Sequence, residues 1–276
     1  MKAIIISASS DIGAALAKAW SGQGWEVYGT YRTPSPLVTA LQKEHNIHFV
    51  PCDLLNLNSL KKACASLIAL CPAWDVLVMA PGHLEPIGDF KDVDFDAWEE
   101  GIQINLIQQL RIVHALLPSR NLQNPAVEPC VQFFAGGGAN NAVLHYSSYT
   151  LSKIALTKMC ELLDAEIPDT RFVIIGPGCV KTKIHEPTLR LGAKAAGDNY
   201  QRTVDRLKKN ECTPMEEVVA CCHYLATTRC KAVRGRNFST ASDRWNSEAL
   251  EQALEADANM YKLRRHKNSW DPSCTK

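Results

Sequence analysis

No long apolar run occurs anywhere in the 276 residues. The N-terminal run Ala3-Ile4-Ile5-Ile6 stops at Ser7-Ala8-Ser9-Ser10-Asp11. A secretory h-region needs about 7–15 apolar residues and a membrane span about 20. The reading is a cytoplasmic chain with no membrane partner. An excess of one charge sign is missing as well: Lys+Arg total 30 against 29 Asp+Glu, a formal net charge of +1. That removes any broad electrostatic reason to bind nucleic acid. Metal spacing is the third absence. The 11 Cys, at 52, 64, 71, 130, 160, 179, 212, 221, 222, 230 and 274, form no C-x-x-C pair and no Cys/His run. They imply no metal site. They read as small apolar side chains buried in a reducing compartment. With 46% hydrophobic and 21% charged residues, disorder is excluded too.

What is present is a set of short, β-branched runs without alternation: Ala3–Ser7, Val27–Tyr31, Ile47–Pro51, Val76–Ala80, Val131–Ala135 and Phe172–Gly176. Near-continuous apolar strands are buried on both faces, which points to a parallel sheet. Helical periodicity fills the gaps over Ile12–Gly22, Leu57–Leu70, Phe95–Leu117 and Tyr149–Ile167. Further on, Pro214–Thr227 reads as a helix, Arg236–Ala241 as a last strand and Ser247–Lys262 as an amphipathic helix. This alternation predicts an α/β fold, a Rossmann-type doubly wound parallel sheet in three layers, α/β/α. Residues 1–243 read as that domain, with a polar, mobile-looking insertion at 183–211. Residues 244–276 read as a helical extension of it.

The first strand runs directly into Ser7-Ala8-Ser9-Ser10-Asp11-Ile12-Gly13 and a helix. In this context a phosphate can sit on the N–H groups of a helix N-terminus. The turn has one glycine where a dinucleotide fingerprint has three, so it reads equally as an N-cap by Ser9 or Ser10. At the end of the second strand, Gly29-Thr30-Tyr31-Arg32 places a guanidinium where an acid would hold the adenine ribose. An Arg there suits a 2′-phosphate, so NADP(H) is expected in preference to NAD(H). A solvated surface Arg is the alternative.

Tyr149 and Lys153, in Tyr149-Thr150-Leu151-Ser152-Lys153, share one helix face at i and i+4. An ammonium near a phenol is expected to lower its pKa. The Tyr then serves as general acid or base toward a carbonyl or alcohol.

Taken in order, these segments resemble the short-chain dehydrogenase/reductase family over residues 1 to about 242. The resemblance implies that Ile6–Gly13 is the glycine-rich turn and that Asp53, in Cys52-Asp53-Leu54, contacts the adenine. Met79-Ala80-Pro81-Gly82 takes the place of the family's Asn-Asn-Ala-Gly strand end. Asn105 matches the Asn that helps hold a water in the proton relay, and Tyr149 and Lys153 match the catalytic pair. Pro177-Gly178-Cys179-Val180-Lys181-Thr182 matches the loop whose Thr reaches the nicotinamide carboxamide. The candidate catalytic residues are therefore Tyr149, Lys153 and Asn105. Candidate cofactor contacts are Ser7, Ser9, Ser10, Asp11, Ile12, Gly13, Arg32, Asp53, Leu54, Ala80, Pro81, Gly82, Tyr149, Lys153, Pro177, Gly178, Val180 and Thr182. The partner expected is a small carbonyl or alcohol substrate.

The departures are specific. Ser7 and Asp11 replace two turn glycines. The family's catalytic Ser, about 13 residues before the Tyr, is Gly136, and no Ser or Thr lies between Cys130 and Tyr146. Backbone N–H groups of Gly136-Gly137-Gly138, or Asn140, Asn141, His145 or Ser148, are the candidate replacements. The alternative is a weak or inactive family member that binds nucleotide in a regulatory or scaffold role. In the family, 183–211 is the substrate lid. Here it carries seven Lys/Arg against four Asp/Glu, a lean toward an anionic substrate. The helices Phe95–Leu117 and Tyr149–Ile167 resemble the family's dimer-forming pair, so a homodimer or homotetramer is expected.

Overall fold

The computed structural model describes residues 1–265. The last part of the expected extension, 266–276 with Cys274, lies outside the described residues. The elements run in this order: β1 Lys2–Ile6, α1 Asp11–Gly22, β2 Glu26–Tyr31, α2 Pro36–His45, β3 His48–Pro51, α3 Leu57–Leu70 and β4 Val76–Met79. Next come α4 Phe95–Ile102, α5 Gln108–Leu116, β5 Cys130–Phe134, α6 Ser147–Glu166 and β6 Arg171–Gly176. The chain continues with α7 Glu186–Ala196, α8 Asp198–Lys209, α9 Met215–Thr227, β7 Asn237–Ser239 and α10 Glu248–Ala256.

The sheet has seven strands in the order β3-β2-β1-β4-β5-β6-β7, and every pairing is parallel. Strand order reverses between β1 and β4, which opens a crevice at the carboxyl ends of those strands. β4 and β5 are wholly buried, and side chains alternate between two cores on opposite faces. One core holds Ile5, Val78 and Val173 under α1 and α9. The other holds Ile4, Leu77 and Phe133 under α3, α5 and α6. This is the expected Rossmann-type three-layer fold. Caps set the helix starts: Ser10, Ser35, Asn56, Asp94 and Ser247 each accept a main-chain N–H of the first turn.

Four local differences from the sequence reading have physical causes. The long helix Phe95–Leu117 is broken by a π-helical segment, Gln103–Ile107, which joins α4 to α5. The insertion at 183–211, read as polar and mobile-looking, folds into two helices, α7 and α8. Gly192 (φ 71°) and Gly197 (φ 55°) interrupt its periodicity. The last helix stops at Ala256, short of Lys262, because the buried Arg236 guanidinium takes the carbonyls of Leu254, Asp257 and Met260. Helix α2, absent from the reading, is a ten-residue helix with Ser35 as cap and Pro36 at its first position. No helix among the described residues is long and apolar enough to cross a membrane.

Candidate active site

The turn from β1 to α1 is held by its own serines. Ser7 adopts φ 60°, its N–H donates to Thr30 Oγ1 (2.8 Å), and its carbonyl accepts Ser10 N–H (2.9 Å). Ser10 Oγ accepts Gly13 N–H at 3.2 Å. A Cβ on Gly13 would strike Ser7 O and come within 2.9 Å of Ala8 Cα, so only glycine closes this turn. The Asp11 carboxylate, a candidate cofactor contact, accepts the Lys183 N–H at 2.8 Å. It fastens the start of the 183–211 segment to the first turn of α1.

One cleft of about 640 Å³ opens at the carboxyl ends of the central strands. It gathers Ile12, Ala80, Pro81, Gly82, Tyr149, Lys153, Pro177, Gly178, Val180 and Thr182 from four separate stretches of chain. Ser7, Ser9, Ser10, Asp11 and Gly13 are not in its lining; they form the α1 turn beside Ile12. Arg32, Asp53 and Leu54 also lie outside its lining, at the ends of β2 and β3. Arg32 is exposed and makes no ion pair among the described residues. Asp53 closes its own turn through Leu55 N–H (3.0 Å), and Leu54 packs into the core at 9% exposure.

Helix α6 carries Tyr149 and Lys153 to the floor of the cleft. Lys153 is 2% exposed, and its Nζ donates to Phe134 O (2.9 Å) and stands 5.7 Å from the Tyr149 ring centroid. Burial alone pushes Lys153 down to about 8 and Tyr149 up to about 12. The expected depression of the phenol is therefore corrected. The ammonium is spent on a β5 carbonyl, and desolvation of the phenolate dominates.

Asn105, fully buried in the π-helical segment, does not line the cleft. Its side-chain amide accepts His83 N–H (2.9 Å) and donates to His83 O (2.6 Å). The side chain braces the turn that follows β4. His83, whose imidazole burial holds below its ordinary range, serves there through its main chain.

At the place of the missing hydroxyl, a Cβ on Gly136 would lie 2.7 Å from Tyr149 Cε1 and 3.0 Å from Lys153 Cγ. The Tyr149 ring occupies the space that a serine would need. Of the suggested replacements, Ser148 is buried and donates to Trp98 O (2.8 Å), and His145 pairs with Asp89 (3.0 Å). Asn140, Asn141 and the glycines remain on the cleft wall. Sequence reading passed over Thr150, which lines the cleft and whose Oγ1 is buried without a hydrogen-bond partner. The signal was its place directly after Tyr149.

Helices α7 and α8 form the outer wall. They are held by Tyr146 Oη to Thr188 Oγ1 (2.8 Å), Asn199 Nδ2 to Leu144 O (2.9 Å) and the Arg190–Glu85 pair (2.6 Å). Arg202 and Arg206 line the cleft from α8. With Lys153 and His185 they are its basic residues, and no Asp or Glu lines it.

A short chain dehydrogenase family model matches residues 1–190. An uncharacterized oxidoreductase of Staphylococcus haemolyticus is 30% identical over 188 residues, spanning 67% of this chain and 80% of its own. Among solved structures, a short chain dehydrogenase/reductase of Saccharomyces cerevisiae superposes with a TM-score of 0.78 at 20% identity, covering 90% of this chain and 97% of its own. An actinorhodin polyketide ketoreductase solved with NADPH superposes at 0.72 and 19% identity, covering 86% and 94%. At these identities the structural likeness speaks for the fold, while the family match rests on sequence. The chain belongs to the short-chain dehydrogenase/reductase family of oxidoreductases, whose fold binds nicotinamide cofactors.

Proposed function

We propose that this chain is an NADP(H)-dependent oxidoreductase acting on a carbonyl or secondary alcohol of a small anionic substrate. The observation that carries the substrate class is the cleft wall, which holds Arg202, Arg206 and Lys153 and no carboxylate. A carboxylate or phosphate entering it meets cations without a competing acid.

The residues present fit a dinucleotide. Gly13 lets the β1–α1 turn close tightly, and the first-turn N–H groups of α1 are the donors for a pyrophosphate. Arg32, exposed and unpaired among the described residues, would take the 2′-phosphate, and Asp53 the adenine. Thr182, beside Pro177, Gly178 and Val180, would hold the carboxamide, and Lys153 the ribose. The bound cofactor supplies the hydride.

The protein's own share is the proton. Tyr149 is protonated at neutral pH, since burial holds it near 12, and it therefore donates to the oxygen of a bound carbonyl. Lys153, about 8 in the same pocket, keeps its charge below that pH and stands 5.7 Å from the centre of the ring that gives up the proton. Exposed Leu151 and Leu162, eleven residues apart and so on one face of α6, would be covered by a second copy in a homodimer.

The experiment is NADPH consumption against a panel of small keto acids and phosphorylated carbonyls, with Tyr149→Phe as control. Turnover in the wild type that Tyr149→Phe abolishes supports the reading. Gly136 favours a second one, a family member that binds cofactor without turning over. Fluorescence-detected NADPH binding with no turnover on the whole panel would establish that reading instead.

A further inference from the structure

Ten free cysteines are described. Seven of these are buried and three, Cys179, Cys212 and Cys230, are partly exposed. Two of those three meet. Cys179 Sγ lies 3.2 Å from Cys212 Sγ, although the residues are 33 apart in sequence. Cys179 sits in the Pro-Gly loop after β6 and lines the cleft; Cys212 follows the C-terminus of α8. Their main chains are already joined by Thr213 N–H to Cys179 O at 2.7 Å, so the two segments are in register before any covalent bond forms. The Arg206 guanidinium adjoins the Cys179 thiol and favours its thiolate, against burial and the Cys212 contact, which push it up to about 11. A thiol pair that solvent can reach, beside a cation, is the environment in which cysteines react.

We propose that Cys179 and Cys212 form a reversible redox-modification site, whose disulfide staples the two ends of the α7–α8 segment across the cleft wall. The oxidant is a low-molecular-weight disulfide such as glutathione disulfide. The Cys212 thiolate attacks one sulfur of the oxidant; the oxidant's S–S bond breaks and one glutathione thiolate leaves. Cys179 then gives up its proton to solvent and attacks Cys212 Sγ, forming the protein S–S bond and expelling the second glutathione. Two protein thiols are oxidised by two electrons, and one disulfide is reduced to two thiols. The staple would close the loop that carries Arg202 and Arg206, fixing that wall of the cleft.

The test uses the full chain incubated with excess glutathione disulfide, then alkylated and digested without reductant for peptide mass mapping. The expected result is a Cys179–Cys212 cross-linked peptide as the main product, a loss of two titratable thiols, and full reversal by dithiothreitol. Cys212→Ser should abolish the cross-link and leave at most a glutathione adduct on Cys179. Circular dichroism verifies that this variant is folded, and the wild-type mapping stands without it. Recovery of both peptides unlinked in the oxidised wild type, or linkage of either residue to a different cysteine, overturns the proposal. None of these readouts depends on catalytic activity, so failure here leaves the cleft's proposed chemistry untouched.

Discussion

Gly136 is the position where restoring the family residue should do harm. An ideal Cβ there lies 2.7 Å from Tyr149 Cε1, 3.1 Å from Cζ and 3.0 Å from Lys153 Cγ. Ordinary carbon–carbon contact is about 3.5–4 Å, so the ring must retreat by about 1 Å. Its neighbours leave little room: the tyrosine's own helix is anchored by Ser148 on Trp98 O and by Lys153 on Phe134 O. Overpacking of this kind costs about 1–3 kcal/mol. Gly136 does not have a positive φ, so a side chain also restricts the unfolded chain and returns about 0.4–1 kcal/mol. The net expectation for Gly136→Ala is a loss of about 1–2 kcal/mol in urea unfolding with an unchanged m-value. Displacing the proton-donating ring by that distance should also lower kcat/KM by up to about 10². Gly136→Ser should do no better than Gly136→Ala, because the obstruction begins at Cβ. A Gly136→Ser variant as stable as the wild type, with equal or higher turnover, would refute the reasoning and show that the serine's place is open.

The other expectations are brief. Between pH 7 and 10 the wild type should gain about 2–3 kcal/mol of unfolding free energy relative to Lys153→Met. The native pKa of about 8 lies below the ordinary 10.5, so the unfolded state binds the extra proton and stability rises with pH across that window. Parallel pH–stability curves for the two proteins would sink that idea. Arg32→Asp should reverse the NADP(H)/NAD(H) preference in steady-state kinetics, with an unchanged ratio counting against the 2′-phosphate assignment. Far from the cleft, Glu128 joins the buried Arg171 (2.8 Å) and Arg234 (2.8 Å). Glu128→Gln should therefore cost about 2 kcal/mol or more in thermal unfolding while NADPH titration stays unchanged.

Much of the architecture is legible in the chain because its strands are buried on both faces. Near-continuous apolar runs mark β1, β4, β5 and β6, broken only by Gln132 within β5, and two-sided burial is what a parallel sheet demands. Helices with a single wide apolar stripe are legible as well: α3 was expected over Leu57–Leu70 and lies there. Helix α2 escapes because it buries only Val38 and Leu41. Helices α7 and α8 escape because two glycines at positive φ reset the phase between short segments with few buried residues. In each case too few apolar residues are buried for a core-facing stripe to stand out.

The candidate site divides along a different line. The i, i+4 spacing of Tyr149 and Lys153 is a local fact, and sequence can show it. Their ionisation is not local, since it depends on how deeply α6 is covered and on a carbonyl, Phe134 O, that comes from β5. Proximity in sequence pointed to a depressed phenol, and burial reversed the direction. The same holds at Gly136, where the chain shows that a hydroxyl is missing but not that the Tyr149 ring fills its place. It holds again for Cys179 and Cys212, which nothing in their spacing pairs. In a cleft that lacks carboxylates and holds buried Lys153 beside a neutral phenol, an entering anion is the natural counter-charge. Such an anion would raise the Lys153 pKa from its value in the empty cleft. Under the proposed chemistry, binding of an anionic substrate would then favour the charged form of Lys153.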